Sequence, residues 1–148
     1  MNILVSACLI GLPTRYAGDG RDVDWIEALA GEHVLIPVCP EQLGGLPTPR
    51  TPCERRGSRV VSREGADLTA AFSAGAEHAL RIARLNNCRA AILKQRSPSC
   101  GSGTIYDGSF SGTLIPGDGL TAALLKSSGL RVFGEADADA CREWLARQ

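Results

Sequence analysis

The chain has 148 residues, and its 16 Lys and Arg residues balance its 16 Asp and Glu residues, so that its formal net charge is zero. A chain of this length is expected to form one domain, residues 1–148, whose core needs no disulfide or metal staples. The neutral balance gives no reason to expect nucleic acid or an anionic membrane as a partner. The apolar runs are also too short to span a bilayer.

The amino terminus enters an apolar run directly after Met1 and Asn2, without the basic leader of a signal peptide. We therefore predict a strand there and a cytoplasmic protein, in a compartment where thiols stay reduced. The six cysteines of such a chain are expected to be free, metal-bound or catalytic rather than paired in disulfides.

The first half of the chain alternates short apolar runs with loops that contain Gly and Pro. In chain order we predict a strand at 2–6, a loop to residue 22, a helix at 24–30 ended by Gly31, and a strand at 33–38. The density of Pro and Gly at 39–54 predicts an irregular loop rather than a helix or a central strand. Residues 59–62 are predicted to form an edge strand or one half of a hairpin.

The second half of the chain carries the strongest helix signal, at 67–85, where apolar residues recur at helical spacing and Asp67 is a candidate N-cap. It is followed by a predicted strand at 90–94, a second irregular loop at 95–112, a helix at 119–128 ended by Gly129, a strand at 131–133 and an amphipathic helix at 137–147. This alternation predicts an α/β fold: a single Rossmann-like domain with a mostly parallel sheet and helices on both faces.

Three cysteines each follow a short apolar run: Cys8 follows residues 3–5, Cys39 follows 34–36, and Cys100 follows 91–93. Ligands of an open α/β sheet bind beside the carboxyl ends of its parallel strands, so these thiols are expected to converge. Three converging thiolates indicate a soft metal or an iron–sulfur cluster with one open position. No pair has the C-x-x-C spacing of a zinc ribbon or a thioredoxin-like motif.

The other three cysteines carry weaker signals. Cys88 and Cys141 lie at a helix end and in a helix, where cysteine usually serves as a small buried hydrophobe. Cys53 lies in the Pro-rich loop, and its position favours neither a structural nor a chemical role.

Polar residues beside the three cysteines are candidates for chemistry. Glu41 stands two residues after Cys39, where a carboxylate can act as a general acid or base or simply cap backbone amides. Ser97 and Ser99 flank a proline just before Cys100; their hydroxyls can bind substrate or merely start a turn. Lys94 and Arg96 come just before these serines and are either cations of the site or solvated charges.

Aromatic and polar residues in the same loops suit a flat heteroaromatic substrate. The candidates are Arg15, Tyr16, Tyr106 and Asp107, although both segments also end in glycine, as turns do. The Gly117–Gly119 helix entry lacks the spacing of a dinucleotide-binding loop. His33 and His78 neighbour no cysteine cluster and are predicted to be structural.

The chain resembles the thiouracil desulfidase family in five segments that keep the family's order: S-A-C-L-I-G, C-P-E-Q-L-G-G-L-P-T-P-R, I-L-K-Q-R-S-P-S-C-G, I-Y-D-G-S-F-S-G and G-D-G-L-T-A-A-L-L. The resemblance implies a 4Fe–4S cluster held by Cys8, Cys39 and Cys100, with an open fourth iron that takes the sulfur of a thiolated pyrimidine such as 2-thiouracil. It places the family's catalytic glutamate and serine at Glu41 and Ser97.

The activity that the resemblance implies is non-redox: the thiocarbonyl becomes a carbonyl, and sulfur leaves as hydrosulfide. Arg15, Tyr16, Ser99, Tyr106 and Asp107 are the expected substrate contacts, and the expected partner is the small thiolated base, not a membrane or nucleic acid. The sequence sets no oligomeric state.

The chain departs from the family pattern in the first loop, where it has Thr14 and Ala17 at positions that the family often fills with Cys and Asp. The change at residue 14 touches no expected ligand, whereas the change at residue 17 is expected to alter the substrate rim.

The sequence also allows two other functions. One is a non-catalytic iron–sulfur or sulfur carrier, or a redox sensor, that binds the cluster without turnover. The other is a hydrolase with a cysteine nucleophile, which needs a base such as histidine near the thiol. Neither His33 nor His78 is placed for that role by the sequence.

Overall fold

The computed structural model describes residues 1–148. Its strands are β1 (Asn2–Ser6), β2 (Val34–Val38), β3 (Cys53–Arg56), β4 (Arg59–Ser62), β5 (Ala90–Leu93), β6 (Thr104–Tyr106), β7 (Leu114–Pro116) and β8 (Arg131–Gly134). Its α-helices are α1 (Asp24–Ala28), α2 (Pro40–Leu43), α3 (Thr69–Leu85), α4 (Leu120–Ser127) and α5 (Ala138–Ala146). No helix combines the length and the apolar character that crossing a membrane requires.

Four strands form a parallel sheet in the order β2-β1-β5-β8. β5 is apolar throughout and β1 is apolar from Ile3 to Val5, and Leu4 of β1 pairs with Ile36 on one side and with Ala91 on the other. β2 is an edge strand, the position in a sheet that tolerates a proline such as Pro37. Because β1, β2 and β5 are neighbours and parallel, their carboxyl ends lie at one edge of the sheet.

Helices cover both faces of the sheet, as predicted. On one face, Leu4 and Leu93 pack with Leu80 of α3 and Leu125 of α4. On the other face, Ile3, Val5 and Ile92 pack with residues of α1 and α5, among them Ile26 and Cys141. Fully burying a side chain such as Leu or Ile stabilises the fold by about 1.5–3 kcal/mol. The α/β fold with a parallel sheet between two helical layers is therefore confirmed.

Two antiparallel hairpins stand apart from the central sheet. β3 pairs with β4, so residues 59–62 form one half of a hairpin, one of the two predicted forms. β6 pairs with β7, and the prediction of an irregular loop over all of 95–112 was wrong there. Thr104 and Ile105 of β6 are β-branched residues that favour a strand, but the flanking glycines and serines hid this three-residue signal.

The prediction of an irregular loop over 39–54 was also wrong at both ends, since α2 begins directly after Cys39 and β3 begins at Cys53. Pro40 occupies the first turn of α2, where its missing N–H costs nothing and its fixed φ suits a helix. The loop prediction took this proline as a helix breaker, although at the start of a helix a proline favours the helix.

The remaining helix boundaries shift by a few residues. α1 ends at Ala28 and continues as a 3₁₀ turn, Leu29–Gly31. α3 begins at Thr69 rather than at Asp67, and its N-cap is Leu68. Asp67 nevertheless supports this helix start, because its Oδ1 accepts the backbone N–H of Thr69 at 2.9 Å.

A pair of glycines sets the contact between α2 and α3. A Cβ on Gly75 of α3 would overlap the carbonyl oxygen of Pro40, and a Cβ on Gly44 would overlap the carbonyl oxygen of Ala71. The two backbones therefore touch directly, and this contact fixes the short helix that carries Glu41 against the longest helix of the chain.

We expect Gly75→Ala to lower the free energy of unfolding by about 1–3 kcal/mol, the usual cost of overpacking. This sign is opposite to the stabilisation of about 1 kcal/mol that Gly→Ala normally brings inside a helix. Chemical denaturation of both proteins measures the difference. Ser73→Ala, at an exposed position of the same helix, is the matched control and should not destabilise. A more stable Gly75→Ala protein would contradict the close contact.

Candidate active site

A cavity of about 490 Å³ lies at the carboxyl edge of the sheet, and Cys8, Cys39 and Cys100 all line it together with Glu41 and Ser97. A volume of this size is in the range of small-molecule and cofactor sites. The structure thus brings together five residues that the sequence distributes over three separate loops.

The local fold aims the three thiols at this cavity. Cys8 lies in a 3₁₀ turn, Ala7–Ile10, directly after β1, and Cys39 directly follows β2. Cys100 lies further from its strand, in a turn that Ser97 organises: Ser97 Oγ accepts the backbone N–H of Ser99 at 3.1 Å and of Cys100 at 3.0 Å. The chain therefore folds back and returns the Cys100 thiol to the sheet edge.

Two of these thiols are deeply buried. Burial raises the pKa of Cys8 to about 11 and the pKa of Cys100 to about 12. Lys94 partly opposes the effect at Cys8, and a hydrogen bond from Ser6 partly opposes it at Cys100. With no bound metal, both thiols are therefore neutral at pH 7, whereas a coordinating metal deprotonates a thiol outright.

The donor set decides which kind of metal group the cavity fits. No group of three or more His, Cys, Asp or Glu side chains lies close enough together to hold a single metal ion. In a 4Fe–4S cluster each thiolate binds its own iron, so the three sulfurs need not share the coordination sphere of one ion. Three thiols without a histidine are also the soft donor set that such clusters use. The residues present fit a cluster.

Glu41 and Ser97 face each other beside these thiols. Arg50 Nε donates to Glu41 Oε1 at 2.9 Å, and the second carboxylate oxygen, Oε2, lies 3.5 Å from Ser97 Oγ. Because Ser97 Oγ already accepts two backbone N–H groups, its own hydrogen is free to donate towards Glu41 or a bound molecule. The pair can orient a water molecule and hold a proton within the cavity.

Three of the predicted substrate contacts line the cavity: Arg15, Tyr16 and Tyr106. The Arg15 guanidinium lies 5.3 Å from the centre of the Tyr16 ring and pairs with Asp19 at 2.9 Å. Together they form a partly aromatic wall at the mouth.

The other two predicted contacts, Ser99 and Asp107, do not line the cavity. Ser99 is fully buried and its hydroxyl is 2.8 Å from that of Thr121, while the Asp107 carboxylate accepts the backbone N–H of Ser109 at 2.9 Å. Asp107 thus performs the turn chemistry that the sequence also allowed, whereas Ser99 joins its loop to α4.

Lys94 and Arg96, which the sequence left as either site cations or solvated charges, both line the cavity. Lys94 pairs with Glu135 at 2.6 Å.

Cys88 and Cys141 are buried as small hydrophobes, as predicted, and neither lines the cavity. No histidine lines it either, so the cavity offers no base of the kind that a cysteine-nucleophile hydrolase needs.

The cavity residues that were not predicted as site residues include Arg50, Cys53, Arg63 and Phe110. Cys53 is a fourth thiol in the cavity, half-buried, and its burial together with the nearby Glu41 carboxylate raises its pKa to about 11. Arg50 and Phe110 lie in the second and the fourth of the five recognised segments, which was the available signal for them. No local sequence signal distinguishes Cys53 and Arg63.

Phe110 is held over the cavity in an unusual backbone conformation. Its φ of 55° lies in the left-handed region, which is costly for a bulky residue. Glu54 stabilises it, because Glu54 Oε1 accepts the backbone N–H of Gly108 at 3.0 Å and of Phe110 at 3.1 Å. The Arg63 guanidinium lies 5.8 Å from the centre of the Phe110 ring. A single carboxylate on β3 thus shapes the tip of the β6–β7 hairpin.

Comparison with known proteins gives the family. The family model described as 2-thiouracil desulfurase matches residues 3–137. The chain belongs to this family. A curated relative, the uncharacterized protein YbbK of Bacillus subtilis (strain 168), is 45% identical over 143 residues, covering 90% of this chain and 95% of the relative.

A solved structure extends the comparison to three dimensions. The [4Fe-4S]-dependent thiouracil desulfidase TudS is 46% identical, matches with a TM-score of 0.95 and covers 99% of both chains. The family resemblance predicted from the five segments is therefore confirmed, and the fold of this chain is the fold of that enzyme.

We expect Glu54→Ala to speed hydrogen exchange at the backbone amides of Gly108 and Phe110, because both lose the oxygen that they donate to. Exchange followed by mass spectrometry or NMR measures the effect. Glu64→Ala removes an exposed carboxylate just after the neighbouring strand β4 and is the matched control, for which exchange at the β6–β7 tip should stay unchanged. Equal protection in the Glu54→Ala protein would show that the carboxylate does not hold the hairpin.

Proposed function

We propose that this chain removes sulfur from a thiolated pyrimidine of the 2-thiouracil type, with a 4Fe–4S cluster held by Cys8, Cys39 and Cys100. One water molecule supplies the oxygen of the new carbonyl group, sulfur leaves as hydrosulfide, and no net electron transfer takes place. The single observation that carries the proposal is the convergence of these three thiols with Glu41 and Ser97 in one cavity.

The assignment of the ligands rests on the donor set and its placement. Cys8 and Cys39 follow directly after two neighbouring parallel strands, and the turn that Ser97 organises brings Cys100 to the same cavity. A cluster held by three protein thiolates keeps one iron open for a substrate atom. When bound, the cluster supplies a Lewis-acidic iron with an affinity for soft sulfur.

Glu41 and Ser97 perform the proton chemistry in this proposal. Glu41 Oε2 orients the attacking water, accepts its proton, and later returns a proton to the ring or to the departing sulfide. Ser97 Oγ donates a hydrogen bond that helps to hold the water or the substrate. Their mutual distance of 3.5 Å leaves the two groups close enough to act on the same molecule.

The walls of the cavity suit a flat ring. Tyr16 and Tyr106 offer aromatic faces, Phe110 approaches from the second hairpin, and Arg15 adds a polar edge. Aromatic contacts of this kind favour heteroaromatic ligands. All six cysteines are free thiols, which suits a reducing compartment such as the cytoplasm.

Anaerobic reconstitution with iron and sulfide tests the function directly. We expect about four irons per chain, visible absorption of a cluster, and conversion of 2-thiouracil to uracil with release of hydrosulfide. Glu41→Gln should keep its iron while kcat falls by about 10²- to 10⁴-fold, the usual contribution of a general acid or base. Glu27→Gln, at an exposed position of α1, is the control. A full cluster without turnover in the wild-type protein would instead favour a carrier or a sensor.

The ligand set has its own test. Each of Cys8→Ser, Cys39→Ser and Cys100→Ser should bind markedly less iron after reconstitution, because a serine oxygen is a poor substitute for a thiolate. Cys53→Ser is the matched control from the same cavity and should retain the wild-type iron content. Iron quantification and visible absorption read out both results, and a Cys53→Ser protein that lost its cluster would overturn the three-cysteine assignment.

A further inference from the structure

The geometry assigns Arg50 a positioning role: its guanidinium fixes one oxygen of Glu41, so that the other faces Ser97, and it donates to the sulfur of Cys39. This inference rests on the proposed function, since it concerns the same carboxylate and the same thiol. No other basic residue of the chain contacts both a proposed catalytic group and a proposed cluster ligand.

Arg50 is the most deeply buried ion-pair cation of the chain. Its side chain is 6% exposed, against 15% for the next most buried partner, Arg15. A buried cation destabilises a protein unless it is paired and hydrogen-bonded. The burial of Arg50 therefore needs compensating hydrogen bonds, and its contacts provide them.

Every nitrogen of the guanidinium has a partner. Nε donates to Glu41 Oε1 at 2.9 Å, Nη1 donates to Thr48 Oγ1 at 2.8 Å, and Nη2 donates to the carbonyl oxygen of Thr14 at 2.8 Å. Nη2 also lies 3.9 Å from Cys39 Sγ. The planar fork is therefore fixed in one orientation, which a single ammonium group cannot reproduce.

The contact with Arg50 fixes one oxygen of the Glu41 carboxylate and leaves the other available to the cavity. Because Oε1 is bound to Arg50, the carboxylate cannot rotate freely, and Oε2 stays on the side of Ser97. A fixed orientation matters for catalysis, since a misplacement of about 1 Å can cost about 10²-fold in rate. Arg50 thus acts on the reaction through Glu41 rather than by touching substrate.

The contact with Cys39 acts on the cluster ligand. An N–H group and a positive charge beside a ligand sulfur stabilise the more negative, reduced form of a cluster, and such hydrogen bonds tune reduction potentials. Arg50 should therefore raise the reduction potential of the bound cluster. This property can be measured without any turnover.

The test compares Arg50→Met and Arg50→Lys with wild-type protein, each reconstituted with its cluster. In Arg50→Met we expect a more negative reduction potential and a kcat lower by about 10- to 100-fold, with KM changed far less. Arg50→Lys keeps the charge but not the fork, so its potential should stay nearer to the wild-type value while kcat still falls. Arg59→Met removes an exposed arginine–carboxylate pair and is the matched control, with wild-type potential and kcat.

A double-mutant cycle separates positioning from a general loss of structure. If Arg50 acts through Glu41, Arg50→Met should lower kcat by less than about threefold in the Glu41→Gln background, because the group that it orients is already disabled. Losses that multiply instead, a wild-type kcat in Arg50→Lys, or an unchanged potential in Arg50→Met would overturn the inference. A wild-type protein with a cluster but no turnover would contradict the proposed function, and the potential would still test the contact with Cys39.

Discussion

The parallel pairing of β1 with both β2 and β5 is the constraint on which the rest of the structure depends. It places the carboxyl ends of three strands side by side, and each of these ends leads into a loop that carries one of the three cavity cysteines. Cys100 belongs to the core on one face of the sheet and Cys8 to the core on the other. The cavity is therefore built where the two cores meet, and its spacing inherits the rigidity of both.

The cavity places two thiols in buried positions, where the charged thiolate form is unfavourable. Cys8 and Cys100 gain no charge partner strong enough to offset burial, so their thiols are neutral at pH 7 when no metal is bound. Neutral thiols pack like small hydrophobes, which allows the metal-free chain to keep its core. Coordination of a metal by these thiols would release their protons.

The sequence predicted the parts of the molecule that depend on local pattern. Continuous apolar runs identified the four strands of the central sheet, because strands buried on both faces carry apolar residues at successive positions. Apolar residues at helical spacing identified α3, because this helix is buried on one face only. The placement of three cysteines after apolar runs predicted that they meet at one edge of the sheet, and all three line one cavity there. Pattern missed α2 and β6, since four residues and three residues are too few to show a period and are bounded by breakers.

Contacts between distant segments could not be predicted at all. Ser99 lies close to cavity residues in the sequence, yet its hydroxyl pairs with that of Thr121 in α4. Phe110 lines the cavity, and Glu54, far away in the chain, accepts two backbone N–H groups of its hairpin. Such contacts depend on how distant segments pack against each other, which no spacing within one segment predicts.

Residues 14 and 17 of the first loop, which the family pattern singled out, take different places in the structure. Thr14 serves the site through its backbone: its carbonyl oxygen accepts the N–H of Arg50 Nη2 at 2.8 Å and lies 3.6 Å from Cys39 Sγ. Any residue supplies that carbonyl group, so the exchange leaves these contacts intact. Ala17, expected to alter the substrate rim, is exposed and does not line the cavity. The expectation that residue 17 alters the substrate rim is therefore not met, because Arg15 and Tyr16 supply the cavity wall from this loop.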